Sequence, residues 1–517
     1  MALEGHHLPP IEGIRRIWVS LVIAIVGFVN TLEMSVAYLA LPSIAGDLGV
    51  SPPQATWVIT SFAVTCAVVT PLSGWLSARV GQVRLFIATL LLFALTSLLC
   101  GLANSLPLLI IARCLQGAVV APMMPVSFAL LLQAYPPNRT AQAMSISMVA
   151  MMCAPIVGPV IGGWLTEHFS WPWIFYINVP IGLGVAALSW QLFRDRESPR
   201  IRLPVDIIGL VLLCIWVGAL QIMLDKGREQ NWFESSEIQL LGVTSLVALG
   251  YFLIWEWYEK HPIVDVRLFA NRSFMRGVVV NSLWAFVYLG NMLLLPLWLQ
   301  QSAGYTATWA GLVVAPGGIA AVLMQPFAHR LLQRGGVRVL GSCGLAMLAL
   351  SASLRAGFTS GIAPEHVLLA QVFNGIGSTC FTLASSMMIF SGLSQWQIAS
   401  ATGMASFARL MAIATGTSFA VTYWDRHTML HRGDLITHIT PDSSGVGEFL
   451  SVSPVGAEAP ALSLSLIDRL LMVQAQTLAA NDYNWLSVML FIGLISLVWL
   501  SPGGAGRGTK NIDVSAH

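Results

Sequence analysis

Apolar residues fill long blocks of this chain, and short polar stretches separate them. A helix crossing a bilayer needs about 20 apolar residues. Fourteen blocks approach or exceed that length, at residues 17–41, 56–77, 84–103, 106–132, 141–165, 173–193, 206–224, 238–257, 276–299, 309–331, 339–357, 366–391, 402–423 and 485–501. The last is short, and its helix is expected to begin before Trp485. The first contains an acid and runs longer than a signal-peptide core, so it reads as a span and not as a cleaved leader.

The polar stretches between the blocks set an orientation. With the N-terminus in the cytoplasm, 18 of the 26 Lys and Arg fall in cytoplasmic loops, 6 (Arg355 among them) fall on the other side, and Arg113 and Arg409 stay inside spans. Cytoplasmic loops carry the excess of positive charge in membrane proteins. An odd number of spans scrambles this sorting, so both termini are expected in the cytoplasm.

Composition narrows the class. The 517 residues are 56% hydrophobic and 10% charged, where a soluble protein carries roughly 25% charged residues. A string of soluble domains is excluded, and a polytopic all-α membrane protein remains. A formal net charge of +2 is too balanced for a nucleic-acid-binding surface. All seven cysteines lie in apolar runs without a CxxC, so neither a disulfide framework nor a zinc site is expected. No cofactor is implied.

One segment on the outer side is long, residues 424–484. Its ends read as helical: Trp424–His438 continues the thirteenth span and Leu462–Asn481 leads into the fourteenth. The middle, with Pro441, Gly445, Gly447, Pro454 and Pro460, reads as a loop. His427 and His431 share a helical face, but two ligands make a weak metal site, and a solvated helix face explains them.

An internal echo is present. Pro71, Arg79, Gly81 and Arg84 are matched by Pro326, Arg334, Gly336 and Arg338, each set at the cytoplasmic end of a span. The offset suits two six-helix halves, residues 1–194 and 261–517, separated by a linker and two extra helices in 195–260. Repeated halves characterise secondary transporters.

Polar groups inside the spans carry the candidate chemistry. An ionised side chain at mid-bilayer costs roughly 2.5–3.5 kcal/mol on insertion scales. Glu33 is the one acid well inside a span, whereas Asp206 and Glu256 lie near span ends, within reach of the interface. Arg113 lies at a depth similar to that of Glu33. Such a pair either carries protons or statically joins two helices. Asn30 lies one turn from Glu33, and Arg113, Gln116 and Gly117 share one face.

The fifth span carries Gly158, Pro159, Gly162 and Gly163, which serve close packing, a hinge, or both. Gly74, Arg79, Gly81 and Arg84 form a basic, glycine-bearing loop, read either as a latch on neighbouring helix ends or as plain positive-inside charge. Asn281, Asn291, Gln371, Asn374 and Arg409 are further polar residues of the second half. Methionines cluster at Met123, Met124, Met151, Met152, Met387 and Met388, as filler or as an adaptable apolar surface. Asn30, Gln116, Met123, Met151, Asn281, Asn291, Asn374 and Arg409 make up the candidate substrate-binding set.

Several stretches together resemble a known family: TLEMSVAYLALPSIAGDL (31–48), TWVITSFAV (56–64), GWLSARVGQVRLF (74–86), RCLQG (113–117), LLLQAYPPNR (130–139), APIVGPVIGGW (154–164), WIFYINVPIG (173–182), LQIMLDKGREQNWF (220–233), PIVDVRLF (262–269) and GYTATWAG (304–311). From about residue 18 to 500 the chain resembles the 14-helix drug:proton antiporter branch of the major facilitator superfamily, and within it the EmrB type of Gram-negative bacteria.

The resemblance implies that Glu33 stands where the family usually has Asp, and that Arg113 is its fourth-helix arginine. It implies that Gly158, Pro159, Gly162 and Gly163 form the antiporter motif, and that Gly74, Arg79, Gly81 and Arg84 form the gating loop. Ala78 replaces the loop's usual acid, which points to a weaker latch. The implied protein is an inner-membrane pump that exchanges hydrophobic or amphipathic small molecules for protons. Its implied partners are a periplasmic adaptor, docked on 424–484, and an outer-membrane channel.

The alternatives are a dedicated exporter of a metabolite such as a siderophore or fatty acid, and a membrane sensor that binds without transporting. No HExxH, GxSxG or Ser/His/Asp arrangement stands out, and none of the ten His sits at the middle of a predicted span, so an enzyme is not expected.

Overall fold

The computed structural model describes residues 11–135, 154–390, 398–437 and 460–500, apart from 155–156, 159, 198–199, 201–203, 205, 228–229, 231, 261 and 265. Every regular element among them is helical. The first half comprises α1 (Ile14–Asp47), α2 (Trp57–Val69, continued through a 3-10 turn at Thr70–Leu72 into Ser73–Val80), α3 (Gln82–Gly101), α4 (Leu106–Val120 and Met123–Ala134), α5 (described over 160–168) and α6 (Trp173–Tyr176 and Asn178–Phe193). The extra pair is α7 (Ile207–Gly227) and α8 (Ser236–Tyr258). The second half opens with α9 (Arg272–Gln301). The run Ala307–Arg355 follows, which Gly336 divides into α10 and α11. It closes with α12 (Pro364–Phe390), α13 (Ile398–Thr437) and α14 (Pro460–Leu500).

Twelve described stretches are long and apolar enough to cross a membrane. The run 308–355 counts once there although it makes two crossings, and most of span 5 lies outside the described residues. With the described part of α5, the helices follow the order of the fourteen apolar blocks. Prolines explain the broken spans: Pro71 and Pro122 sit where α2 and α4 lose regular helix, because each lacks a donor and crowds the preceding turn.

The internal echo has a backbone counterpart. Gly81 has φ 100° and Gly336 has φ 74°, both left-handed. Each lets the chain turn sharply between two spans where a Cβ disfavours that geometry. This is why α10 and α11 run together without a loop.

Each half has its own core. Val19, Phe86, Leu130 and Phe193 pack in the first, and Trp284, Phe381 and Phe491 in the second. A further cluster joins the halves at the end away from the N-terminus, here called the far end, through Leu41, Leu109, Trp298 and Trp424. The extra helices α7 and α8 pack on each other, and α7 also touches α2 and α13. Leu240, Leu246, Tyr251 and Ile254 of α8 are exposed, as suits a helix whose outer face meets lipid.

Two expectations change. Glu256, near the end of α8, is not solvated: it is buried against protein, and its Oε2 accepts the Val264 N–H at 3.2 Å. Arg355 is not a solvated loop residue, for it ends α11 only 3% exposed.

Helices α13 and α14 extend past the apolar blocks and lie side by side. His431 Nε2 meets Asp482 Oδ2 at 2.6 Å, and Arg432 donates to Asp468 at 2.7 Å. His427 stacks on Tyr423 at 3.8 Å. The two histidines therefore have separate protein partners. The connecting residues 438–459 lie outside the described set.

Candidate functional site: a buried carboxylate and its cage

Glu33 and Arg113 meet inside the first half. Arg113 Nη1 donates to Glu33 Oε1 at 2.5 Å, and their side chains are 2% or less exposed. The second carboxylate oxygen accepts from Asn178 Nδ2, also at 2.5 Å. Three helices, α1, α4 and α6, thus converge on one carboxyl. Charge-assisted hydrogen bonds to both oxygens satisfy an anion that hydrocarbon alone could not hold.

Arg113 does not depend on Glu33 alone. Its Nε donates to the Val58 carbonyl at 2.9 Å and its Nη1 also reaches Gln116 Oε1 at 2.7 Å. Its guanidinium lies 4.3 Å from the Phe62 ring centroid, a favourable cation–π contact. Gln116 in turn donates to Ser97 at 2.8 Å. Gly117 makes this possible: a Cβ there would come within 2.5 Å of the Phe62 carbonyl oxygen. The small residue lets α2 and α4 approach until the Val58 carbonyl reaches the guanidinium.

A cavity of about 10 Å³ lies against Glu33, lined also by Leu32, Val36, Ile174, Phe175 and Asn178. That is space for about one water. One turn beyond Glu33, Val36 carries the packing of α5: a Cβ on Gly162 would lie 2.9 Å from Val36 Cγ1. Gly158 and Gly163 are also buried, and Pro159 lies outside the described residues. Gly162 of the fifth helix thus touches the helix that bears the carboxylate.

The remaining sequence-derived candidates scatter. Asn30 is half-buried and does not bond the Glu33 carboxyl. Met123 is core, 1% exposed. Asn281 accepts from Ser385 at 2.8 Å, joining α9 to α12, and Asn291 donates to Ser487 at 2.8 Å, joining α9 to α14. Asn374 is half-buried and Arg409 exposed. Met151 lies outside the described residues.

The basic loop gains an acid from elsewhere. Glu197, just after α6, accepts from the Val83 and Arg84 N–H groups at 3.1 Å each and caps α3. Arg84 lies 3.7 Å from it, and Arg79 stacks over Trp75. Gly74 is exposed. A Cβ on Gly81 would collide with the Glu197 carboxyl.

At the far end, Glu167 in the last turn of α5 accepts from the hydroxyl of Thr308 and from its N–H at 3.2 Å. This contact links the first half to the N-terminus of α10, where the helix dipole favours an anion. The Thr308 hydroxyl foremost, against an opposing push from burial, and then the Thr308 N–H hold the carboxyl below its ordinary range.

Sequence reasoning missed Asn178, Ser97, Glu197 and Glu167. Asn178 was the most legible of them, as a lone amide in an apolar span. A second signal was available in the motif Arg113-Cys-Leu-Gln-Gly117, which has the counterpart Gln371-Val-Phe-Asn-Gly375. A Cβ on Gly375 would strike Gly317 of α10, much as Gly117 abuts α2.

Comparison with known proteins agrees with this architecture. Residues 23–417 match the model of the Major Facilitator Superfamily. The chain is 40% identical to the multidrug export protein EmrB of Haemophilus influenzae over 503 residues, covering 97% of this chain and 98% of that one. It is 38% identical to the fatty acid resistance protein FarB of Neisseria gonorrhoeae, over 96% of this chain and 99% of that one. It is 37% identical to EmrB of Escherichia coli K12, with 96% and 98% covered. Among solved structures, a POT family transporter in complex with 5-aminolevulinic acid superposes with a TM-score of 0.65 at 14% identity, covering 95% of this chain and 99% of that one. An inward-facing bacterial homologue of the lysosomal transporter Spinster gives 0.62 at 16%, covering 95% and 97%. These two share the fold. The chain belongs to the Major Facilitator Superfamily and, within it, to the EmrB type of multidrug export protein.

Proposed function

We propose that this efflux transporter exports hydrophobic or amphipathic small molecules in exchange for protons, with Glu33 as the proton carrier and Arg113 as its counter-charge. The observation that carries the reading is a buried carboxylate with a donor on each oxygen and a water-sized cavity beside it. Protonation of Glu33 from the periplasm removes the charge that Arg113 compensates. Arg113 keeps Val58 and Gln116 as partners, so the pair can loosen without stranding the guanidinium. Val36 passes the resulting shift of α1 to Gly162 on α5, and the far end opens by parting Glu167 from Thr308. The membrane potential adds about 2.3 kcal/mol per charge per 100 mV.

Gly81 and Glu197 fix the cytoplasmic loop that includes Gly74, Arg79 and Arg84. The substrate meets Asn30, Asn374 and Arg409, and Met151 belongs to the same proposed set. The membrane is the bacterial inner membrane, with both termini cytoplasmic. The extended α13–α14 pair exposes Met429, Leu430, Ile436 and Leu470, and serves as the docking surface for a periplasmic adaptor that leads to an outer-membrane channel.

Everted vesicles test the coupling. An imposed proton gradient should drive drug movement by the wild type and not by Glu33→Gln. Undiminished coupled transport by that variant overturns the assignment. A susceptibility panel on deletion and complemented strains identifies the cargo. The fatty acid resistance of one relative supports a second reading, a dedicated exporter of long-chain acids, which that panel separates from broad drug export.

A further inference from the structure

The second half holds a buried cation without the acid that the first half provides. Arg355 ends α11 only 3% exposed. Its Nε reaches the Ser351 carbonyl of its own helix at 3.4 Å, and no described carboxylate pairs with it. In the first half, Arg113 has Glu33 at 2.5 Å. The place of Glu33 on α1 corresponds to Asn291 on α9. Each side chain reaches the last helix of its half, Glu33 at Asn178 and Asn291 at Ser487. A neutral amide therefore stands where the charge balance calls for an anion.

The guanidinium borders a cavity of about 20 Å³ that Asn291, Tyr483 and Asn484 also line. Two polar atoms at its wall, the Tyr483 hydroxyl and Asn484 Oδ1, are buried without a partner among the described residues. The hydroxyl is a ready donor. The Asn484 NH₂ is committed to the Ala480 carbonyl at 2.8 Å, so the donors that face the cavity are the guanidinium and the tyrosine hydroxyl. A guanidinium stays charged at physiological pH, and a buried charge without compensation strongly destabilises a fold. The space holds about one particle of water size, which suits a monoatomic ion.

We propose that this cavity binds a single halide, chloride in the cell, held by the Arg355 guanidinium and the Tyr483 hydroxyl as a resident counter-ion of the second half. The ion compensates Arg355 and joins α9, α11 and α14. It stands independently of proton coupling at Glu33, because it rests on other helices and other groups.

The experiment uses the purified full-length protein in detergent, with thermal unfolding followed in sodium chloride and in sodium gluconate at equal ionic strength. The midpoint should rise with the logarithm of chloride concentration, and bromide should substitute. At about 100 times the Kd, the native state gains about 100-fold over the unfolded one. Arg355→Gln should abolish the response. Asn291→Asp, which supplies a covalent carboxylate, should stay folded and lose the response too, so the test survives if the arginine variant does not fold. Crystals grown in bromide should show anomalous scattering in the cavity. Equal midpoints in chloride and gluconate, an undiminished halide response in Asn291→Asp, or a cavity without bromide scattering overturns the proposal. None of these readouts involves transport, so failure here leaves the export reading untouched, and the reverse also holds.

Discussion

Glu33 and Asn178 lie 145 positions apart in the chain and meet at 2.5 Å. The amide takes the oxygen that Arg113 leaves, so an arriving proton must displace one of two donors. Gln at position 33 can still accept from one donor and fit the space. Glu33→Gln should therefore fold, bind drug and lose proton-driven export. Glu33→Ala strips the guanidinium of its anion and should cost about 3–5 kcal/mol. Thermal stability separates the two variants, with Glu33→Gln staying close to the wild type.

The contact of Gly162 with Val36 makes a steric prediction. Gly162→Leu forces α5 away from α1, since a Cβ alone would lie 2.9 Å from Val36 Cγ1. Efflux should fall at least tenfold while membrane insertion persists, an effect of about 1.4 kcal/mol or more on the rate-limiting step. Adding Val36→Ala should restore part of the rate. Failure of that rescue, measured in the same vesicles, assigns the loss to something other than this contact.

The far-end latch should not titrate in the physiological range. A carboxyl held below its ordinary value keeps its contacts above that value and loses them only as pH falls through the lowered one. Glutamate ordinarily titrates near about 4.3, so Glu167 stays charged from about pH 5 to 8. In a Glu33→Gln background, a spin-label distance across the far end should be the same at both limits. Opening on acidification there would make Glu167 a second proton switch. A Glu167→Cys, Thr308→Cys pair should stop export when oxidised and release it when reduced.

Arg409 is an exposed guanidinium within the apolar part of α13, with no ion pair among the described residues. Arg409→Gln should reduce export of carboxylate-bearing amphiphiles several-fold more than export of neutral ones. Paired resistance measurements on a fatty acid and an uncharged dye check this. Equal losses would assign Arg409 a structural role.

Much of the fold was legible because lipid imposes a coarse rule. Thirteen of the apolar blocks lie in helices, as does the described part of the fifth, and the errors fell where that rule is silent. Helix α14 begins at Pro460, as the helical reading of Leu462–Asn481 anticipated, and its early turns pack on α13 without an apolar run. Arg355 looked like a loop charge because hydropathy cannot see burial at a helix end. At the site, Glu33 and Arg113 stood out as charges in oil. Asn178 and Ser97 did not, since neutral polar residues are common in spans. Glu197 was hidden in a linker, and Ala78 invited the view that the basic loop had no acid at all. Only the turn at Gly81, left-handed and tight against α3, brings that carboxyl to it.

The unbroken character of α13 and α14 has a mechanical outcome. Their 40 and 41 residues reach about 60 Å at 1.5 Å per residue, about twice the hydrocarbon thickness. Each is one continuous beam, anchored in the second half, which the proposed export cycle would rock. A tilt of a few degrees within the bilayer becomes a sideways swing of ångströms at the free tips. In the proposed export cycle, an adaptor seated on those ends would be carried along by the same two rods, with no separate signal needed.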